Sequence, residues 1–238
     1  MLIEVRHVSH TYAAGTPSAN PVLHDVDLRL DEHRVGVIGA NGSGKSTFVR
    51  LLDALLQPTA GQILVDGHDT ATEAAAVRRG TGFLFTDPDN QIIMPSVRED
   101  VGFGLRRLKL PKAELAARVE AQLDRFGLGA VADAPAHLLS GGQKQMLALA
   151  AVLVTEPSLL LMDEPTTLLD LRATALFTDL LADLGQPVVL ASHHLDLVAG
   201  FDRVLCFDHG RVVADGAPGE VVAFYRDLMA RPGGTAAP

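Results

Sequence analysis

The stretch Gly39-Ala40-Asn41-Gly42-Ser43-Gly44-Lys45-Ser46-Thr47 fits the pattern Gly-x4-Gly-Lys-Ser/Thr, and its flanks narrow what the chain can fold into. The apolar run Arg34–Ile38 before it predicts a buried strand. Phe48-Val49-Arg50-Leu51-Leu52 after it predicts a helix packed on a sheet. A strand that turns into a helix over glycines directs backbone N–H groups inward with no Cβ in the way, and the helix start adds partial positive charge. The result is a phosphate cradle. Gly39, Asn41, Gly42, Ser43, Gly44 and Thr47 form it, Lys45 reaches the β- and γ-phosphates, and the Ser46 hydroxyl sits on Mg²⁺. The loop alone leaves ATPases, GTPases and small-molecule kinases open. No guanine-reading Asn-Lys-x-Asp motif occurs in the chain.

A second apolar strand, Leu159–Met162, ends in Asp163 and Glu164. Ligands of parallel sheets sit at the C-terminal ends of the strands. There Asp163 can hold Mg²⁺ through its water shell, and Glu164 can polarise an attacking water or accept its proton. Between the two halves, Leu139-Ser140-Gly141-Gly142-Gln143 precedes the helix-like Lys144–Val154. Ser140 is a good N-cap, and the two glycines leave the helix start open to an anion. Why one nucleotide should need two phosphate-binding surfaces is a geometric question. His193 and His194 invite a zinc reading, but neighbours on an extended segment point to opposite sides and no further Cys or His lies near. Zinc is rejected, and His194 is read as a surface or structural residue.

Short runs rich in Val, Ile and Leu alternate with helix-like stretches, which predicts an α/β fold with a mainly parallel core sheet. Val188–Ala191 and Val204–Phe207 are further strands, the latter turning back through Asp208–Arg211 into Val212–Ala214 as a hairpin. Leu2–Val8, Val26–Leu30 and Gln62–Val65 predict an N-terminal antiparallel β region. The section from about Ser96 to Val154 reads as helical, with Leu115, Val119, Leu123 and Phe126 on one face, Pro111 near the start and Gly127 as the stop. One domain over 1–230 is expected, with a helical insertion at about 88–154 and a frayed tail at 231–238.

Twenty Lys and Arg against 29 Asp and Glu give a net charge of −9, which argues against a chain that coats nucleic acid or anionic lipid. A hydrophobic share of 47% suffices for a substantial core, and the one cysteine, Cys206, fits a reducing compartment. Met1–His10 contains no long apolar stretch, so no secretory leader is expected. The longest apolar run, Met146–Val154, is about half of the ~18–20 residues that cross a bilayer.

In order along the chain, the phosphate loop, Leu139–Gln143 and Leu159–Glu164 resemble the ATP-binding cassette (ABC) ATPases, over essentially the whole length. The resemblance implies a P-loop NTPase fold of ABC type that binds ATP and Mg²⁺. It further implies that two cassettes stack head to tail, so that Ser140, Gly141, Gly142 and Gln143 act on the ATP of a second ABC subunit. This would answer the geometric question. Thr167-Leu168-Leu169-Asp170 matches the loop in which Asp170 links the two sites. His193 matches the histidine that contacts the γ-phosphate, and Tyr12 the aromatic residue that stacks on adenine.

In one place the chain departs from that pattern. Gly82-Phe83-Leu84-Phe85 is followed by Thr86 where the family has a Gln that contacts Mg²⁺ and the catalytic water. The Thr86 hydroxyl is shorter, so a bridging water is expected between it and the ion. Gln91, five residues on, is expected to face a partner protein. The segment Asp87–Asn90, Gln91 and Met94–Val101 is similar to the energy-coupling-factor branch of importers. There the segment meets a transmembrane T subunit, and a separate S subunit captures the substrate. Thr86 with Glu164–Arg172 is most similar to the biotin-uptake ATPases of that branch, with cobalt or nickel uptake and a module shared among vitamin binders as alternatives. The resemblance implies a peripheral ATPase at the cytoplasmic face of the membrane, held through about Asp87–Val101, with no nucleic-acid partner. A non-transport cassette in repair or translation and a P-loop kinase are the readings from other classes.

Overall fold

A computed structural model describes residues 1–231. The expected frayed tail, Arg231 apart, lies outside the described residues. The strands are β1 Ile3–Tyr12, β2 Asn20–Leu30, β3 Arg34–Gly39, β4 Ala60–Val65, β5 His68–Asp69, β6 Thr81–Leu84, β7 Leu159–Asp163, β8 Val188–Ala191, β9 Arg203–Asp208 and β10 Arg211–Gly216. The α-helices are α1 Lys45–Leu52, α2 Ala74–Gly80, α3 Val97–Phe103, α4 Lys112–Arg125, α5 Gly141–Leu153, α6 Leu171–Ala182 and α7 Pro218–Ala230. They fall into two units. The first holds Met1–Thr81, Ser158–Glu164 and the chain from Gln186, and the second holds Gly82–Pro157 and Pro165–Gly185.

In the first unit β3 pairs in parallel with β8 and β9, and β7 pairs in parallel with β8. β10 turns back antiparallel on β9, as the hairpin reading expects. Strands β7, β8 and most of β3 and β9 are buried residue after residue because helices pack on them, α1 on β7 and β8 and α7 on β9. Phe48 of α1 meets Phe207 of β9 at 5.1 Å between ring centroids, both fully buried, and so fixes the phosphate-loop helix against the sheet. A separate sheet, ordered β2-β1-β4-β5, is antiparallel throughout. The fold is the expected one, with a mainly parallel core sheet and an N-terminal antiparallel β region.

The second unit is helical. α3 packs against α4 and α5. Pro111 caps α4 and Gly127, at φ +66°, ends it, while Val119, Leu123 and Phe126 are buried and Leu115 is half-buried. In α5 the run from Gln145 to Ala150 is buried, so the apolar stretch read from the sequence goes into a protein core. Among the described residues no helix is long and apolar enough to cross a membrane.

Candidate nucleotide site

At the end of β3, Gly39 and Gly44 take left-handed backbone angles, φ +149° and +108°. A Cβ on Gly39 would stand 2.2 Å from the Phe207 carbonyl oxygen, so the strand-to-loop turn admits no side chain there. Inside the loop the Lys45 ammonium donates to the Gly39 and Ala40 carbonyls at 2.8 and 3.0 Å and lies 3.7 Å from Glu164 Oε1. Burial pushes the Lys45 pKa down, opposed by the charges of Glu164 and Asp163. Ser43 Oγ is buried with no hydrogen-bond partner among the described residues. Asn41 and Gly42 are exposed at the loop tip.

Asp163, fully buried at the end of β7, receives two donors from one face of α1. Ser46 Oγ donates to its Oδ1 at 2.6 Å and the Arg50 guanidinium to its Oδ2 at 3.0 Å. Ser46 and Arg50 are four residues apart, one helical turn, which is why both reach the same carboxylate. Arg50 was not singled out from the sequence; its i+4 spacing from Ser46 is the signal that could have found it. One carboxylate beside one hydroxyl and a phosphate loop is a sparse oxygen set. It suits Mg²⁺, which retains most of its waters and takes phosphate oxygens as ligands.

Glu164 lies just past β7 at φ +51°, a backbone angle that a glutamate adopts only where its surroundings impose it. Its N–H donates to the Ala191 carbonyl at 2.9 Å, and its Oε2 accepts from the His193 N–H at 3.1 Å and contacts His193 Nδ1 at 2.7 Å. The two rings of His193 and His194 pack edge to face, 4.2 Å between centroids. This corrects the expectation that neighbours point apart: the chain bends at His193 after β8 has ended, and His194 caps a short 3₁₀ helix, so strand alternation does not apply. Among the described residues no group of three or more His, Cys, Asp or Glu could hold a metal ion. Tyr12 ends β1 half-buried, its hydroxyl 3.0 Å from Thr47 Oγ1 and its ring edge-on to His10. Tyr12, Gly39–Thr47, Asp163, Glu164 and His193 thus belong to one unit.

The other site residues belong to the second unit. Ser140 caps α5 as expected and does so reciprocally: its Oγ accepts from Gln143 N–H at 3.3 Å, while Gln143 Oε1 accepts from Ser140 N–H at 3.0 Å. The amides of Gly141 and Gly142 in that first turn have no intrahelical acceptor. Asp170 caps α6 through Ala173 N–H, and with Ser140–Gln143 and Leu168 it lines a groove of about 860 Å³. Thr86 follows β6, half-buried. Gln91 differs from its reading. Its carboxamide turns inward, accepting from Phe85 N–H at 3.2 Å and donating to the Phe83 carbonyl at 3.1 Å, which satisfies the strand end instead of meeting a partner. Asp89 pairs with Lys144 at 2.6 Å, and buried Asp100 accepts from the N–H groups of Ile93 and Met94.

A phosphate loop, a buried carboxylate at the end of β7, two strands along from β3, and a braced glutamate beside it define a P-loop NTPase. The chain belongs to the ABC transporter family, which it matches over residues 23–167, and it is an ATPase of that family. It is 48% identical over 212 residues to the biotin transport ATP-binding protein BioM of Rhizobium etli, covering 89% of this chain and 94% of that one. Over 227 residues it is 39% identical to the energy-coupling factor transporter ATP-binding protein EcfA1 of Caldanaerobacter subterraneus subsp. tengcongensis, covering 92% and 82% of the two chains. The dimeric post-hydrolysis structure of the ATP-binding cassette MJ0796, bound to ADP and Pi, superposes with a TM-score of 0.82 at 27% identity, covering 91% of this chain and 98% of that one.

Proposed function

We propose that this chain is the ATP-hydrolysing motor subunit of an energy-coupling-factor importer, and that the importer takes up biotin. The observation that carries the reading is the meeting of Ser46 and Arg50 on buried Asp163, with Glu164 braced by His193 beside Lys45. The relatives named for biotin transport and for an energy-coupling factor support the branch. ATP lies on Gly39–Thr47 with Tyr12 against the adenine. Ser46 and Asp163, with Thr86 as a further ligand, hold Mg²⁺, which when bound neutralises charge on the β- and γ-phosphates. Glu164 orients the attacking water and accepts its proton, and His193 holds Glu164 in place and faces the γ-phosphate. Lys45 neutralises charge that spreads over the γ-phosphate oxygens as its bond to the leaving oxygen lengthens.

A second cassette completes each site, its Ser140–Gln143 and Asp170 closing over this chain's nucleotide; the dimeric neighbour supports the pairing. Asp87–Val101 meets the transmembrane T subunit, an S subunit captures the vitamin, and the ATPase pair works at the cytoplasmic face. Purification from the native host in mild detergent tests this. Two membrane proteins are expected to travel with the chain, and vesicles holding the assembly are expected to accumulate labelled biotin when supplied with ATP. Purification without membrane proteins would remove the importer reading, and accumulation of cobalt or nickel in place of biotin would remove the vitamin.

A further inference from the structure

The net charge of −9 conceals a local reversal. From Val101 to Ala113 the chain holds no Asp or Glu, while Arg106, Arg107, Lys109 and Lys112 crowd together. The stretch begins in α3, continues as the 3₁₀ turn Gly104–Leu108, reverses at Lys109 with φ +51° and enters α4 at Lys112. All four cations are exposed, and none joins an ion pair among the described residues. Elsewhere in the same unit Arg98 is neutralised by Glu120 and Asp133, and Arg118 by Glu114 and Glu156.

Two large apolar side chains share that surface. Phe103 is 41% exposed and Leu108 42%, and the Arg106 guanidinium lies over the Phe103 ring, 5.2 Å from its centroid. Leu105, fully buried, anchors the turn and leaves its neighbours on the outside. Cations interleaved with an aromatic ring and a leucine, with no acid among them, make the composition of a surface that sits at headgroup level. The stretch also continues directly from Asp87–Val101, the segment proposed to meet the membrane protein.

We propose that Phe103–Lys112 is a lipid-contact surface that engages the anionic headgroups of the membrane. The proposal rests on the importer reading only in placing the chain at a membrane. Each cation near an anionic surface contributes about fivefold to partitioning, so four together contribute several hundredfold, roughly, at low salt. Glu99 and Glu120, which line a groove together with Arg106, offset part of that attraction, while acidic residues more than about 10 Å away are screened.

Cosedimentation of the full chain with phosphatidylcholine vesicles, with and without phosphatidylglycerol, is the test. No membrane protein is present, so failure here leaves the importer reading intact, and failure of that reading leaves this result standing. Binding to the anionic vesicles alone is expected, lost in about 0.5 M salt and lost in the variant R106Q/R107Q/K109Q/K112Q. The variant F103S/L108S is expected to bind severalfold more weakly. Both variants should retain wild-type ATP turnover, which shows them folded. No binding to anionic vesicles, undiminished binding by the four-fold variant, or equal binding to vesicles of phosphatidylcholine alone would each overturn the proposal.

Discussion

Asp53 is the group whose replacement reports most directly on the packing behind the phosphate loop. It closes α1, 5% exposed, and burial pushes its pKa up from 3.8 to about 6, against the Thr81 hydrogen bond and the Arg78 charge, which pull it down. The same hydrogen-bonding groups can also accommodate the neutral acid. Thr81 Oγ1 lies within bonding distance of both Asp53 Oδ1 and the Val77 carbonyl, yet it carries one proton. If Thr81 donates to Val77, a protonated Asp53 can donate to Thr81 and the chain of donors is complete; an ionised Asp53 cannot donate.

Asp53→Asn keeps that shape and always presents a donor. A folded pKa about two units above the unfolded value means that ionisation opposes folding by about 3 kcal/mol once complete. The cost is absent below about pH 4, where both states are protonated, and grows as pH rises to about 6. The variant should therefore match the wild type in acid and exceed it at neutral pH, by about 8 °C in Tm for a chain of this size. Denaturant midpoints of the two proteins across that pH range provide the assay, because the other titrating groups cancel in the difference. A difference that stays flat with pH, or an Asn variant less stable at neutral pH, would refute the reasoning.

Two further substitutions probe the site itself. Glu164→Gln should slow ATP hydrolysis by about a hundredfold or more while leaving nucleotide affinity near wild type, as read by single-turnover hydrolysis and fluorescent-nucleotide titration; normal turnover would remove Glu164 from proton acceptance. Arg50→Met removes a charged donor from the carboxylate of buried Asp163, which keeps its Ser46 bond, and should cost about 2–3 kcal/mol in denaturant unfolding. Adding Asp163→Asn should restore most of that loss, and a double variant no more stable than Arg50→Met would show that the buried charge was not the cause.

The parts of the site that were legible early are those whose geometry is local. Glycines between an apolar strand and a helix imply the loop, and Ser140 with Gln143 three residues later implies a capped helix start, because the partners lie within one turn. The inward turn of Gln91 was not legible, since a glutamine six residues past Phe85 reads equally well as a surface residue until the strand end is seen to lack donors and acceptors. The approach of the His193 and His194 rings was missed for a related reason: period-two alternation was applied to a segment that had already left the strand.

The sequence alone determined the class of chemistry and the class of fold. A phosphate loop, an apolar strand ending in two acids and alternating strand and helix runs depend on residues that are neighbours in the chain. The tertiary structure decided which side chains complete each other across 113 and 117 residues, Arg50 and Ser46 on the two oxygens of Asp163, and His193 on Glu164 across 29. It also decided that four surface cations join no ion pair among the described residues while Arg98 and Arg118 do. Pairings of this kind depend on distance in space, and hydrophobic periodicity fixes which face of an element is buried without fixing what waits opposite it.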